Sequence, residues 1–156
     1  MKTPLNVLGV IFACVVLLLL ALSVTGFEPH DRTPGLWLKG DLVTAPVADW
    51  SFTDKIPEIK IQTESPFLLP HSVTIWCAVY NGNLYVTSYR GREWVENIIR
   101  EPRVRLKIAD KVFDRNLSMV DDPVEKAAVL QAKGRKYPQW KVPAVSAATV
   151  FRVNPA

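Results

Sequence analysis

The chain has 156 residues, of which 49% are hydrophobic and 22% are charged, and its formal net charge is +4 at pH 7. This mild positive charge is spread along the sequence, whereas nucleic-acid-binding domains concentrate basic residues in a stripe with aromatic platforms, so we expect no nucleic-acid partner. Two cysteines and two histidines supply too few sulfur and nitrogen ligands for a structural zinc site, and we predict no metal ligands.

The first segment of the chain is apolar and carries no charge from Val7 to Val24. This run is long enough for one transmembrane helix and exceeds the usual hydrophobic region of a cleaved signal peptide, although cleavage after Ser23 is the alternative. Lys2 precedes the run, and the positive-inside rule then places the N terminus in the cytoplasm. We predict a single-pass anchor in the inner (plasma) membrane over residues 1–27, with the following domain on the periplasmic, outer side.

The rest of the chain divides into a linker over residues 28–34 and one domain over residues 35–156. This length is enough for one core and too short for two. Cys14 lies in the apolar segment and Cys77 lies in a predicted strand, so we expect no disulfide.

Alternation of apolar and polar residues predicts several strands, each with one buried face. The segment EIKIQT at 58–63 and the segment RVRLKI at 103–108 alternate strictly, and ATVFRVNP near the C terminus is a last strand. A hairpin is predicted around Asn81-Gly82, because this dipeptide favours a two-residue turn.

The predicted hairpin places Val79 opposite Leu84 and Trp76 opposite Thr87. One of its faces is a core face. Aromatic bodies with polar tips on the other face are typical of a ligand wall or a subunit interface, while a surface aromatic ladder is the alternative. This second face carries Thr74, Trp76, Ala78, Tyr80, Tyr85, Thr87 and Tyr89.

Two helices are predicted between the strands. REWVENIIREP has apolar residues at helical spacing and ends at Pro102, and a second helix begins at the cap residue Asp122 with Pro123 in its first position. Short strands in hairpin order with two short helices indicate a mainly β (α+β) fold, an antiparallel barrel with helical decoration.

The segment HSVTIWCAVYNGNLYVTSYRGREWVENIIREPRVRLKI resembles the central part of the flavin-binding split-barrel superfamily, the pyridoxamine 5'-phosphate oxidase-like proteins. DDPVEKAAVLQAKGRKYP is similar to the helix and Lys-Tyr-Pro element of those proteins. The resemblance covers residues 56–153 and is strongest to a poorly characterised branch with a Ser/Thr-x-Tyr-Arg-Gly-Arg strand end. It implies a six-stranded antiparallel split barrel with two short helices, and FMN or a deazaflavin as cofactor.

The resemblance also implies where a flavin phosphate is held. The oxidases use an arginine and a lysine on the first hairpin strand, and a threonine and an Arg-Lys pair at the end of the second. These positions fall on His71 and Trp76, and on Thr87, Arg92 and Glu93. The second-strand half is therefore kept in part, whereas the first-strand half is absent.

We expect a cofactor site at this strand end, in which arginines and backbone N–H groups hold a phosphate and aromatic rings line the cofactor. The candidate residues are His71, Trp76, Tyr85, Thr87, Ser88, Arg90 and Arg92. No catalytic residue is identified, because a bound cofactor would carry the redox chemistry. The first hypothesis is thus a membrane-anchored flavin- or deazaflavin-binding oxidoreductase, with the cofactor between two subunits of a homodimer.

The second hypothesis is a non-catalytic split-barrel protein without a cofactor, acting as an accessory subunit of a membrane complex. The missing Arg/Lys pair and the outward orientation favour it. Haem binding through His71 is a third interpretation. The surface alternative for Arg90-Gly91-Arg92 is a solvated basic loop.

Overall fold

The computed structural model describes residues 4–67 and 69–156. Its first element is the helix α1 (Pro4–Thr25), of which Val7–Thr25 is long and apolar enough to cross a membrane and is not buried against the rest of the chain. A signal sequence has the same length and composition, so α1 is a candidate span.

A single mixed sheet forms the body of the molecule. Seven strands lie along one antiparallel path in the order β3-β2-β6-β7-β8-β5-β4, and the two-residue β1 adds to β7 in parallel. The strands are β1 (Asp41–Leu42), β2 (Ile59–Glu64), β3 (Pro70–Ile75), β4 (Cys77–Tyr80), β5 (Asn83–Ser88), β6 (Arg103–Ile108), β7 (Lys111–Met119) and β8 (Thr149–Pro155).

The prediction of six strands is wrong, because the sheet path has seven. The chain leaves the sheet at Trp76, between β3 and β4, and the two strands then pair with different partners, β2 and β5. What reads as one strand of a hairpin is therefore two strands in different parts of the sheet. The two short helices are confirmed as α2 (Glu93–Arg100) and α3 (Pro123–Lys136), the latter capped by Asp122.

The register of the hairpin is confirmed where β4 and β5 pair. Val79 lies opposite Leu84, and Asn81 and Gly82 both have positive φ (50° and 74°), as a two-residue turn requires. The predicted pair of Trp76 and Thr87 is absent, because the ladder ends one residue earlier. Thr87 instead pairs with Val150 of β8 on its other side.

The two faces of this hairpin are both buried, against different partners. One face belongs to the main core, with Cys77, Leu84 and Val86 fully buried. The other face is covered by α3, which packs a second cluster against it. That cluster comprises Tyr85, Val120, Val129, Leu130, Ala148 and Val150. Only the open end of the second face, near Thr87, is left to form a site.

The segment that follows α1 is attached to the barrel. Glu28 forms ion pairs with Lys60 of β2 and Lys107 of β6, and Gly35 exchanges two backbone hydrogen bonds with Ser72 of β3. Burial alone would raise the pKa of Glu28, but hydrogen bonds from the two lysines outweigh it and hold this pKa below its ordinary value. These contacts fix the end of α1 relative to the sheet.

The substitution Val86→Asp tests the assigned core face. Val86 is fully buried in the main core, so the aspartate would carry an unpaired charge there and should lower the free energy of unfolding by about 4 kcal/mol or more. The matched control is Val124→Asp, because Val124 is 75% exposed in the first turn of α3. Denaturation of the detergent-solubilised protein, followed by tryptophan fluorescence, compares the two. Equal stability of the variants would contradict the assignment.

Candidate functional site

A groove of about 490 Å³ opens where the covering helix α3 leaves the ends of β3 and β5 uncovered. Its volume lies within the range of small-molecule sites. Four of the predicted site residues line it, namely Trp76, Thr87, Ser88 and Arg92, whereas His71, Tyr85 and Arg90 do not. The rest of the lining comes from residues 31–33, Glu58, residues 73–75 of β3, Tyr89, Trp94 of α2, Lys133 of α3, and Trp140, Pro143 and Ala148 after it.

Trp76 owes its place in the groove to the interruption between β3 and β4. Its indole stacks on the ring of Tyr137 with centroids 4.5 Å apart and an interplanar angle of 6°. The indole N–H donates to Glu58 Oε1 at 3.4 Å, and the Tyr137 hydroxyl donates to the carbonyl oxygen of Pro57 at 2.8 Å. Burial raises the pKa of Tyr137, which therefore stays a neutral donor. One hydrogen bond from each ring thus holds the stacked pair of Trp76 and Tyr137 in place beside the groove.

Lys133 is the residue that sequence reasoning missed. It lies on α3, is only 6% exposed, and its Nζ donates to Thr87 Oγ1 at 2.6 Å. The ammonium group lies 4.3 Å from the centroid of the Trp140 ring and 5.7 Å from that of Trp76. Helical spacing is a signal that could have found it, because position 133 falls three and four residues after the buried Leu130 and Val129.

The charge of Lys133 has no carboxylate partner among the ion pairs of the described residues. Burial disfavours the charged form and lowers the pKa of Lys133 to about 8. A buried amine that points its hydrogen bond at a groove hydroxyl can neutralise an anionic group entering the groove.

In the Arg90-Gly91-Arg92 turn, the backbone N–H of Gly91 is occupied by a side chain of α2. Gly91 has a φ of 81°, and its N–H donates to Glu96 Oε1 at 3.1 Å. Glu93 and Glu96 occupy the first turn of α2, so the N-terminal end of this helix already has negative partners. Arg92 lines the groove while Arg90 lies outside it, and neither takes part in an ion pair within the described part of the chain.

The other two predicted residues are engaged elsewhere. His71 is half-buried with Nδ1 at 3.4 Å from Glu93 Oε1, at the edge of β3. Tyr85 lies beneath α3, where its hydroxyl donates to Glu125 Oε1 at 2.7 Å and accepts from Arg152 Nε at 3.2 Å. Burial, and then the hydrogen bond to Glu125, raise the pKa of Tyr85. The helix that covers the second hairpin face is the reason Tyr85 does not reach the groove.

Together these residues suit a ligand with a flat ring and an anionic group. Trp76 offers ring surface, Lys133 and Arg92 offer positive charge, and Thr87 and Ser88 offer hydroxyls. Within residues 4–67 and 69–156, no cluster of three metal-ligating side chains occurs. The groove lining therefore offers ring surface, positive charge and hydroxyls to a ligand that carries a ring and a phosphate or carboxylate.

Comparisons with known proteins agree with this fold. No family model and no curated protein sequence matches the chain. Solved structures do match. A conserved hypothetical protein of Mycobacterium tuberculosis aligns with a TM-score of 0.59 and 18% identity over 76% of this chain and 85% of its own.

The names of two further matching structures each include a ligand. An F420 reductase aligns with a TM-score of 0.55 and 20% identity over 72% of this chain and 96% of its own. A FAD-binding protein of Mesorhizobium loti aligns with a TM-score of 0.50 and 17% identity over 68% and 86%. The chain has the split-barrel fold of the pyridoxamine 5'-phosphate oxidase-like proteins, as the sequence resemblance predicted.

The buried amine predicts a pH dependence of stability. The ordinary lysine pKa is 10.5, and that of folded Lys133 is about 8, so between these values the unfolded chain holds more protons than the folded chain. This difference in bound protons is a contribution of Lys133 that makes unfolding less favourable as pH rises from about 8 to about 10. The substitution Lys133→Met removes this contribution. The free energy of unfolding of the variant minus that of the wild type should therefore decrease as pH rises from about 8 to about 10. Denaturation at several pH values measures the difference.

Lys111→Met is the control for this measurement, because Lys111 is an exposed lysine on β7. Its difference from the wild type should stay constant over the same pH range. A constant difference for Lys133→Met as well would show that Lys133 is hydrated and not held in the groove wall.

Proposed function

We propose that this protein is a membrane-anchored split-barrel oxidoreductase that binds a flavin or a deazaflavin, such as FMN or F420, in the groove beside Trp76. The observation that carries the proposal is the buried Lys133, which has no carboxylate partner among the residues that the structure describes and lies between Thr87 and the rings of Trp76 and Trp140. F420-reductase and FAD-binding proteins share the fold, which supports this class of ligand.

A flavin or deazaflavin supplies hydride transfer when it is bound. The residues of this chain then have binding and positioning roles. Trp76, held by Tyr137, provides a surface for stacking. Lys133 and Arg92 neutralise the anionic group, and Thr87 orients the ammonium of Lys133.

The proposal includes the cellular arrangement. Residues 1–27 anchor the protein in the inner (plasma) membrane as a single pass, residues 28–34 link the anchor to the barrel, and residues 35–156 form the domain on the periplasmic side. Since residues 31–33 line the groove, the anchor and the site are separated by a few residues only. A homodimer, or a partner in a membrane complex, would cover the open side of the groove.

One observation favours the second function, an accessory subunit without a cofactor. The first-strand phosphate positions carry His71 and Trp76, and His71 faces Glu93 instead of the groove. In that case Lys133 and Arg92 would form ion pairs with acidic groups of a partner subunit. The two functions differ in whether the purified protein binds a flavin-type molecule.

Titration of the purified full chain with FMN and with F420, followed by tryptophan fluorescence, tests the proposal. The wild type should bind at least one of them. Arg92→Ala should weaken binding by about 1.5–3 kcal/mol, the range for a hydrogen bond to a charged group, and Lys133→Met should weaken it by a similar amount. Arg90→Ala is the matched control, because Arg90 lies in the same turn outside the groove.

Absence of binding by the wild type would contradict the oxidoreductase proposal and leave the accessory subunit. Equal losses in Arg90→Ala and Arg92→Ala would show a diffuse effect of surface charge and contradict the site.

The predicted orientation is tested separately. Protease added to intact spheroplasts should digest the domain, because residues 28–156 lie outside the plasma membrane, while a cytoplasmic marker protein survives. Digestion of the domain only after lysis would show the opposite orientation. Immunoblotting of the two samples provides the readout.

A further inference from the structure

A second cavity, of about 440 Å³, lies between the segment 42–47, Trp50 and the end of β8. It shares no lining residue with the groove. A neighbouring cavity of about 390 Å³ along β2, β6 and β7 shares Asp114, Arg115 and Ala156 with it. The larger cavity is mostly apolar, with Val43, Val47 and Val153 among its walls.

Arg115 is the buried cation of this lining, which also includes the polar residues Thr44, Asn83, Asp114 and Asn154. Arg115 is only 8% exposed. Its guanidinium carbon lies 5.6 Å from the ring centroid of Trp50 and 5.4 Å from that of Phe113. Its N–H groups donate to the carbonyl oxygens of Asp114 at 2.7 Å and Ala45 at 3.5 Å. Burial lowers the pKa of Arg115.

No carboxylate forms an ion pair with this guanidinium in the part of the chain that the structure describes, although the charge of Asp114 favours its charged form. The adjacent Asp114 is held by Arg105 through two hydrogen bonds, of 2.7 and 2.8 Å. Other cations that are withdrawn from water in the sheet, Lys60 and Lys107, share Glu28. Arg115 is therefore a desolvated charge with neutral hydrogen-bond partners and more N–H donors than two carbonyls accept.

We propose that this cavity binds the carboxylate of a small apolar acid, with the carboxylate on Arg115 and the apolar body against the valines and Trp50. A carboxylate matches the planar donor set of a guanidinium. A phosphate suits the cavity less well, because its second negative charge would lie beside Asp114 and apolar walls without a partner. The volume of the cavity is in the range of small-molecule sites. This site is independent of the function proposed for the groove.

Thermal unfolding of the full chain in lipid nanodiscs tests the proposal with two probes of equal size, phenylacetate and the neutral phenylacetamide. A ligand of the folded state raises the midpoint in proportion to its affinity. We expect the dissociation constant of phenylacetate to be at least about tenfold lower than that of phenylacetamide, as one charge-assisted contact provides. Arg115→Met should abolish this preference for the acid.

Lys133→Met separates this site from the groove, where an anion could also bind, and it should keep the full preference for phenylacetate. Val47→Phe narrows the cavity and leaves Arg115 in place, so it should weaken phenylacetate binding even if Arg115→Met fails to fold. Equal binding of acid and amide, no binding of either, an unchanged preference in Arg115→Met, or an unchanged affinity of Val47→Phe for phenylacetate would overturn the proposal. Loss of the preference in Lys133→Met would assign the acid to the groove and overturn it too.

Discussion

The interruption of the strand at Trp76 is the constraint on which the candidate site depends. Because the chain leaves the sheet there, β3 pairs with β2 while β4 pairs with β5. The same interruption frees the indole of Trp76 from the ladder and lets it stack on Tyr137 beside the end of α3. The groove and the split of the barrel thus have one local cause.

Lys133 gives this groove its chemistry. A buried ammonium group without a carboxylate destabilises the folded chain, and the hydroxyl of Thr87 and two indole rings compensate only in part. An anionic ligand would complete the compensation, so binding and stability are coupled at this residue. The positions that the resemblance implies on the first hairpin strand hold Trp76 and His71, and His71 contacts Glu93 outside the groove, whereas a cation from α3 lies in the groove.

Local patterns were sufficient to predict much of the fold. The Asn81-Gly82 turn gave the pairing of Val79 with Leu84, and Asp122 with Pro123 gave the start of α3. Alternation could not reveal the division at Trp76, because β3 and β4 continue the same period and only their partners differ. For a related reason, only part of the site was predicted from the sequence. Residues near the strand end line the groove, whereas the contact of Lys133 with Thr87 joins positions 46 apart in the chain.

The most direct test of the central claim is the pKa of Lys133 itself, measured by NMR of the labelled side chain in the presence and absence of FMN and of F420. The account predicts a value of about 8 in the free protein. On binding of a flavin-type ligand it predicts a rise toward about 10.4, the value of an ordinary lysine, because the anionic group favours the charged amine. A ligand that binds and leaves the pKa of Lys133 unchanged would contradict the account.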